Sequence, residues 1–323
     1  MPENHEEERV VLQIPEQCAG KRLDQVLADL LPMHSRSRLQ QWIKAGDLLV
    51  DGRVTRPPVR VLGGEVVSGV LRLPVETADR PQAIDFGLCY EDADLLVLDK
   101  PAGLVAHPAA GNPDGTLVNA LLHHAPELAE LPRAGLVHRL DKDTTGLLVV
   151  ARNPRAHTAL VRQLQARTLE REYAAVVNGV MVAGGTIDAP IGRHPVDRKR
   201  MAVTAGGKPA VTHYRVLRRF TAHTHVQVRL ETGRTHQIRV HLAHLRFPLL
   251  GDPLYGGRPH FPKGLSESGR AVLENFQRQA LHAQRLALTH PSTGRRLEWR
   301  AEWPADLREL LVCLEQETLV HST

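Results

Sequence analysis

The sequence predicts an α+β protein in two units, a small α+β unit and then a larger one with a mixed, largely antiparallel sheet and flanking helices. The first observation is size, because 323 residues with 42% hydrophobic residues suffice for two cores. The second is a polar, proline-containing linker at residues 76–86. The third is that strand patterns recur after the linker without strict alternation with helices. The units are therefore predicted at residues 18–75 and 87–323.

The chain opens with a polar and acidic stretch, residues 1–17, which is predicted to be flexible. A helix follows, and Pro32 ends it. Its apolar residues recur at the spacing of one helical face: Leu23, Val26, Leu27, Leu30 and Leu31. This arrangement places Asp24 on the helix surface.

A second helix and a hairpin complete the small unit. Ser35 is the predicted N-cap of the helix, and Gly46 ends it. The apolar face of this helix consists of Leu39, Trp42 and Ile43. The segment "DLLVDGRVT" then alternates into a predicted turn at Asp51 and Gly52, and "GEVVSGVLRL" is the next strand.

In the larger unit, apolar and β-branched runs mark the strands, and helical segments lie between them. The predicted strands are "DLLVLDK", "GLVHRL", "GLLVVAR", "REYAAVV", "AVTHYRVL" and "THVQVRLET". The clearest helix is "NPRAHTALVRQLQAR", in which Asn153 is a capping residue and Pro154 suits the first helical position. Ala156, Leu160 and Leu164 share one face of this helix.

Composition excludes several classes of protein. No apolar run reaches the roughly 18 residues of a membrane span. The first ten residues lack the basic and apolar pattern of a signal peptide, so a cytoplasmic protein is expected. Cys18, Cys89 and Cys313 are far apart, which argues against a disulfide framework or a CxxC zinc site.

The positive charge is concentrated near the N terminus. The net charge of the chain is +5, and residues 21–60 hold eight Lys or Arg against four Asp. Such a cluster is compatible with nucleic-acid binding, and a solvated surface is the alternative; the hairpin pattern in the same segment favours RNA binding.

One polar loop, in "LVHRLDKDTTGLLVV", is predicted to lie between two strands. A calcium loop would need a ligand at Thr145 and a Glu at Arg152, so it is excluded. A phosphoryl-transfer site with Asp141 as nucleophile and Asp143 as acid would need Mg²⁺ and further carboxylates, which the sequence does not offer clearly. A tight turn, in which Asp and Thr only bind backbone groups, is as compatible with this loop as catalysis is.

A second polar segment, "LETGRTHQIRVHLAHLRF", is predicted to be a strand, a turn and a helix. Thr235 is its expected N-cap, and Ile238, Leu242 and Leu245 face the core. Polar residues gather near the helix start: Arg234, His236, Gln237, Arg239 and His241. A metal site using His236, His241 and His244 is disfavoured, because the spacing is not HExxH and two arginines would repel a cation. The segment instead favours an anion, either an RNA phosphate or a carboxylate such as Asp141.

Four segments occur in a fixed order: "KPAGLVAHPA" (100–109), "GLVHRLDKDTTGLLVVARN" (135–153), "REYAAVVNG" (171–179) and "LETGRTHQIRVHLAH" (230–244). With the tail "GDPLYGGRP", they closely resemble the pseudouridine synthases of the RluA type. Residues 18–75 resemble an S4-type RNA-binding module. The resemblance spans nearly the whole chain, and the combination of motifs is specific.

The resemblance assigns roles to five residues. Asp141 matches the catalytic aspartate, which attacks or deprotonates the target nucleoside so that uracil detaches, rotates and rejoins through carbon. Arg239 matches the arginine that pairs with it, and a nearby cation favours the charged form of a carboxylate. Tyr173 matches the tyrosine that stacks on the base. Arg139 matches the arginine that enters the RNA stack when the uridine flips out, and Ile238 an apolar wall of the pocket.

The resemblance also implies a substrate and a chemistry. The expected substrate is 23S ribosomal RNA, free or in a pre-assembled large subunit, and the enzyme is expected to act as a monomer. The isomerisation has no net redox change, so neither a cofactor nor a metal is expected. Five basic residues of the small unit are predicted to contact RNA: Lys21, Arg22, Arg36, Arg38 and Lys44. The basic segment 192–210 is a further candidate for RNA contact, with a solvated hairpin as the alternative.

A rival hypothesis is a binding protein, in which the S4-type module tethers a catalytically silent domain that assists ribosome assembly. The intact set of Asp141, Tyr173 and Arg239 argues against it.

Overall fold

The computed structural model describes residues 5–32, 34, 36–74, 80–108, 112–257, 261–262 and 264–320. The chain divides into an N-terminal unit, residues 1–78, and a C-terminal unit, residues 79–323. This division lies inside the predicted linker. Ser35, the predicted N-cap, lies outside the described residues. Within the described ranges, no helix is both long and apolar enough to cross a membrane.

The N-terminal unit is a three-stranded antiparallel sheet with two helices. Its elements are β1 (His5–Gln13), α1 (Leu23–Leu30), α2 (Arg36–Ala45), β2 (Leu48–Val50) and β3 (Val66–Pro74). The strand order is β1-β3-β2. Asp51 and Gly52 form the predicted turn, with φ of 48° and 72°, and the N–H groups of Val50 and Arg53 each donate to the other residue's carbonyl. The predicted helical faces form the core, together with Val10, Ile14, Val67 and Leu71.

Two expectations for this unit are wrong. Residues His5–Gln13 are a strand and not a flexible lead-in, because β1 pairs with β3 from end to end, and Val10 and Ile14 are buried. Asp24 is fully buried and not on the surface, because Arg22, Arg36 and Gln40 all donate hydrogen bonds to its carboxylate. The hydrogen bonds from Arg22 come first among the causes that hold the pKa of Asp24 well below its ordinary value.

The C-terminal unit is α+β, as predicted, with one large mixed sheet. Its first strands and helices are β4 (Gly87–Glu91), β5 (Leu95–Lys100), α3 (Leu117–His124), β6 (Thr145–Ala151), α4 (Pro154–Gln165) and β7 (Glu170–Asn178). Next come β8 (Gly185–Asp188), β9 (Ile191–Arg193), β10 (Met201–Val203), β11 (Val211–Arg219), β12 (His223–Leu230) and α5 (Gln237–His244). The last are α6 (Glu267–Asn275), β13 (Leu281–Thr289), β14 (Arg296–Arg300) and α7 (Ala305–Val320).

The order of the large sheet is β4-β5-β6-β13-β7-β12-β11-β8, and β14 also pairs with β13. All its pairs are antiparallel except β6 with β13, which are joined in parallel over only two residues of each strand. One of the two paired residues of β6 is Gly146, which has a φ of 111°. A Cβ at this position would lie 2.4 Å from the carbonyl oxygen of Ala283. A glycine is therefore required where β6 leaves the loop that contains Asp141.

The segment "GLVHRL" is not the strand that its apolar residues predict. Gly135 ends a short 3-10 helix, Leu136 forms an isolated bridge to Val150, and residues 137–140 are irregular. The imidazole Nε2 of His138 accepts a hydrogen bond from the N–H of Val149 at 3.2 Å. A side chain thus takes the place of a backbone partner here, so the segment remains irregular beside β6.

Candidate active site

One pocket of about 220 Å³ in the C-terminal unit contains all five residues to which the resemblance assigns roles in that unit. They are Asp141, Tyr173, Arg139, Ile238 and Arg239. They come from the loop before β6, from β7 and from α5. The predicted RNA contacts Lys21, Arg22, Arg36, Arg38 and Lys44 belong to the N-terminal unit.

The loop that contains Asp141 is held by buried donors from other elements. Lys100 Nζ donates to the carbonyl of Lys142 at 2.8 Å, and Arg278 Nη1 donates to the carbonyl of Asp143 at 3.2 Å. Gln279 Nε2 donates to the hydroxyl of Thr144 at 3.0 Å. The loop backbone thus has little freedom, so the position of Asp141 is preorganised.

Lys100 is a site residue that sequence reasoning missed. It is fully buried, and its Nζ also donates to the carbonyls of Pro101 and Leu104. Burial lowers the pKa of Lys100 to about 8, although Asp143 and Asp141 oppose that shift, so the ammonium is charged at neutral pH. The motif "KPAGL" was the available signal, but only the fold shows that this lysine joins two loops.

We expect Lys100→Met to lower the rate of the chemical step roughly tenfold, because the loop of Asp141 loses a fixed contact. Stability should fall by about 1–3 kcal/mol, since three carbonyls lose a donor. Single-turnover kinetics and urea unfolding would measure the two effects. An unchanged rate in a folded variant would contradict the positioning role.

Asp141, Arg239 and Asp252 form a chain of charges. Arg239 Nη1 donates to Asp141 Oδ2 at 3.0 Å, while Nε and Nη2 donate to the two oxygens of Asp252 at 2.7 and 2.9 Å. The side chain of Asp252 is 0% exposed and that of Arg239 is 7% exposed, whereas that of Asp141 is 15% exposed. The buried pair therefore presents a fixed cation to the one carboxylate that faces the pocket.

Burial disfavours the charged forms of both Arg239 and Asp252, but the attraction between the two charges outweighs this effect. Burial would raise the pKa of Asp252, but the hydrogen bonds and charge of Arg239 hold that pKa below its ordinary value. The pKa of Arg239 is correspondingly raised, despite its burial. Sequence reasoning missed Asp252, although it lies in the quoted segment "GDPLYGG".

Tyr173 and Ile238 contribute a flat and an apolar surface to the pocket. They are 5% and 4% exposed. Burial raises the pKa of Tyr173, so its phenol is neutral at ordinary pH. Such surfaces suit a planar, uncharged ring.

His236 faces Asp141, with Nε2 3.9 Å from Oδ1. His236 immediately precedes α5, and its backbone has the left-handed conformation, with φ of 56°. The N–H of Met201 donates to the hydroxyl of Tyr255, and that hydroxyl and Nδ1 of His236 share a hydrogen bond of 2.9 Å. Burial lowers the pKa of His236, although the charge of Asp141 opposes the shift.

The prediction that Thr235 caps α5 is wrong. No side chain caps this helix, and Gln237 orders the turn instead. Its Oε1 accepts from the N–H of Arg234 and the hydroxyl of Thr232, and its Nε2 donates to the carbonyl of Val211. The metal alternative gains no support, because both nitrogens of His241 already bind Thr212 and the carbonyl of Ala189.

Basic residues surround the mouth of the pocket. Arg133, Arg139 and Arg234 line it and are exposed. Burial, and then the charges of Arg139 and Arg133, lower the pKa of His107 to about 4. Sequence reasoning missed Arg133 and His107. Together the three exposed arginines make the mouth of the pocket attractive to a polyanion.

Comparisons with known proteins identify the families to which this chain is similar. The family model described as RNA pseudouridylate synthase matches residues 94–244, and the S4 domain model matches residues 21–67. "Ribosomal large subunit pseudouridine synthase D" of Xanthomonas campestris pv. campestris is 56% identical over 305 residues, covering 94% of this chain and 92% of its own. The protein of the same name in Escherichia coli (strain K12) is 53% identical over 309 residues, covering 95% of each chain.

Two solved structures are also similar. "Human RNA Pseudouridylate Synthase Domain Containing 4" is 27% identical with a TM-score of 0.55, over 71% of this chain and 93% of its own. "Human RNA Pseudouridylate Synthase Domain Containing 1" is 26% identical with a TM-score of 0.54, over 75% of this chain and 95% of its own.

Proposed function

The chain belongs to the RNA pseudouridylate synthase family, and from this premise we propose that it converts specific uridines of large-subunit, 23S ribosomal RNA to pseudouridine. The printed names of its relatives support the choice of RNA. The observation that carries the chemistry is the contact of Asp141 with the buried pair Arg239 and Asp252, inside an arginine-lined pocket. Free RNA or a pre-assembled subunit is the substrate, the protein acts as a monomer, and its location is the cytoplasm.

In this proposal Asp141 starts the reaction. Its carboxylate, held by Arg239, either attacks C1′ of the ribose or removes a ribose proton. In both routes the C1′–N1 bond breaks and its electron pair stays on uracil. The base turns and C5 bonds to C1′, while the Asp141–C1′ bond breaks in the first route or the ribose carbon takes its proton back in the second. The C5 proton leaves and N1 gains a proton, so the product is an isomer. Tyr173 stacks on the base and takes part in the last proton transfer.

Base flipping is the step assigned to Arg139. This residue is exposed at the mouth of the pocket, where its guanidinium can replace the departed base in the RNA stack. Unstacking costs a few kcal/mol, which contacts with phosphates offset. Arg133 and Arg234 supply such contacts at the same rim.

The rival, a catalytically silent binding factor, conflicts with the family and with the complete site. The deciding test is tritium release from 5-tritiated uridine in a 23S transcript, followed by mapping of pseudouridines in a strain that lacks the gene. Release with loss of specific pseudouridines in that strain supports the proposal. Mg²⁺-dependent phosphate release without tritium release would support the phosphoryl-transfer alternative.

The N-terminal unit is proposed to bind structured RNA through Lys21, Arg22, Arg36, Arg38 and Lys44. The guanidinium groups of Arg22 and Arg36 are held by Asp24, yet their side chains are 44% and 43% exposed. Arg38 lies over the ring of Trp42. Asp24 thus fixes two cations in orientation without hiding them, which suits contact with phosphates.

We expect removal of residues 1–75 to leave the C-terminal unit folded and to weaken binding of 23S RNA fragments. The logarithm of affinity falls as the logarithm of salt concentration rises, and each lost phosphate contact makes this slope less steep by about 0.9. Affinity measured at several salt concentrations tests this expectation. An unchanged slope would count against the basic surface.

A further inference from the structure

Arg171 is a buried cation for which the described residues provide no anion. It is 7% exposed, and its Nε has no hydrogen-bond partner. Two other arginines of the described chain are similarly buried, and both are paired, Arg239 with two aspartates and Arg278 with Asp306. An uncompensated buried charge is costly. The partner of Arg171 is therefore expected outside the described residues.

The carboxylates next to Arg171 in sequence cannot form an ion pair with it. Side chains alternate along a strand, so Glu170 and Glu172 of β7 face the opposite side of the sheet. There Arg285 binds both, at 3.0 and 2.7 Å, and Arg296 binds Glu170 at 2.8 Å. Tyr173, two residues after Arg171, shares its face and lines the pocket.

The guanidinium of Arg171 lies against the wall of the active-site pocket. Its Nη1 would be 2.9 Å from a Cβ placed on Gly233, which lines the pocket. His138, another lining residue, lies within reach of the same charge: burial, and then the charge of Arg171, lower the pKa of His138 to about 3. Gly233, Tyr173 and His138 line the pocket and Arg171 itself does not, so the guanidinium lies behind this wall.

His138 adds a second donor without a partner. Its Nε2 accepts the N–H of Val149, so the neutral ring carries its proton on Nδ1. That Nδ1 is buried and has no partner among the described residues. Buried polar groups are nearly always paired in native proteins, so two unpaired donors at one wall indicate a ligand with acceptor atoms.

On the basis of the proposed function, we propose that His138, with Arg171 behind it, donates to a carbonyl oxygen of the flipped uracil, and that the charge of Arg171 stabilises the charge that the base carries after the C1′–N1 bond breaks. The electron pair of that bond is shared by N1, O2 and O4 of the detached base. A fixed, nearly enclosed cation stabilises this anion more than the neutral base that precedes it. The base gives up an electron pair when C5 bonds to C1′; the pair of the C5–H bond then stays on the ring as that proton leaves, and N1 takes up a proton.

A backbone phosphate is the less suitable ligand. Phosphates stay on the outside of an RNA strand, where the exposed Arg133, Arg139 and Arg234 meet them. Arg171 is nearly enclosed behind Gly233, so its charge acts on a base inside the pocket rather than on a phosphate at the rim.

The experiment compares Arg171→Met and Arg171→Lys with a matched control, Arg285→Met. Arg285 is also largely buried, with a side chain 13% exposed, but it binds three glutamates on the opposite face of the sheet. For each variant, single-turnover tritium release, affinity for a 23S fragment at several salt concentrations and thermal unfolding are measured.

For Arg171→Met we expect the single-turnover rate to fall about 10²- to 10³-fold, with affinity within about threefold of wild type. Its unfolding temperature should equal or exceed that of wild type, because a costly unpaired charge is gone. Arg171→Lys should recover part of the rate. Arg285→Met should show the reverse pattern, a lower unfolding temperature and a nearly unchanged rate.

Two results would overturn the inference. Weaker binding with a salt slope reduced by about 0.9 and an unchanged rate of the bound complex would identify a phosphate contact. A lower unfolding temperature with an unchanged rate would identify a structural role. If wild type itself releases no tritium, the proposed function fails, whereas release by wild type and by Arg171→Met at equal rates contradicts only this inference.

Discussion

Asp141→Asn should reduce tritium release from 23S transcript on the order of 10⁴-fold, as expected when the group that starts a reaction is removed. The amide keeps the shape of the carboxylate, and its oxygen can still accept from Arg239 Nη1, now 3.0 Å from Oδ2. What it lacks is a charged oxygen that can attack carbon or take a proton. The change should therefore affect chemistry and leave RNA affinity nearly unchanged.

Asp143→Asn is the matched control for this experiment. Asp143 lies two residues away in the same loop, where its backbone carbonyl accepts from Arg278 and its charge favours the ammonium form of Lys100. The substitution keeps that carbonyl, so the rate should stay within about threefold of wild type. More than a tenth of wild-type activity in Asp141→Asn, or equal losses in both variants, would contradict the assignment of Asp141.

Local pattern was enough to predict much of the fold. Asn153 caps α4 as its sequence predicts, by accepting from the N–H of Ala156 at 2.9 Å, because a cap depends on residues three positions apart. The apolar face of α1 and the turn at Asp51 are local in the same sense. The strand predicted at "GLVHRL" failed because a hydrogen bond from Val149 to a side chain, which no periodicity records, replaces a backbone pairing.

The candidate site shows the same limit more clearly. Asp141, Tyr173 and Arg239 came from motifs, and the structure brings them into one pocket. Lys100 and Asp252 were missed because their importance lies in burial, which depends on elements distant in sequence. Asp24 was misplaced for the same reason, since its neighbours Arg36 and Gln40 belong to the next helix. Sequence reasoning thus found the groups that face the substrate and missed those that hold them.

Arg239→Met should cost about 3–5 kcal/mol of stability, because it leaves the fully buried Asp252 without its counter-charge. It should also lower the rate of tritium release about 10²- to 10³-fold, since Asp141 loses the cation that orients it. Urea unfolding and single-turnover kinetics measure the two effects separately.

A second variant separates stability from catalysis. Arg239→Met combined with Asp252→Asn removes the unpaired charge at position 252, and the amide oxygen can still accept the N–H groups of Leu254 and Tyr255 that now bind Oδ1. Most of the lost stability should return. Activity should not, because Asp141 still has no cation beside it. Recovery of both would show that Arg239 acts only through the fold.

The pH dependence of stability follows from the sign of the shift at Asp252. In wild type Arg239 overcomes the effect of burial and holds the pKa of Asp252 below its ordinary value. The ionised Asp252 therefore stabilises the fold above about pH 4, and this stabilisation is lost only in more acidic solution. Without Arg239, burial alone raises that pKa, so the folded variant binds a proton that the unfolded chain has released. The stability of Arg239→Met should therefore fall as the pH rises from about 4 to 7, and its deficit relative to wild type should be larger at pH 7 than at pH 5. A deficit that is the same at both values would mean that Asp252 finds another partner or water in the variant, and the argument from an unpaired buried carboxylate would then be wrong.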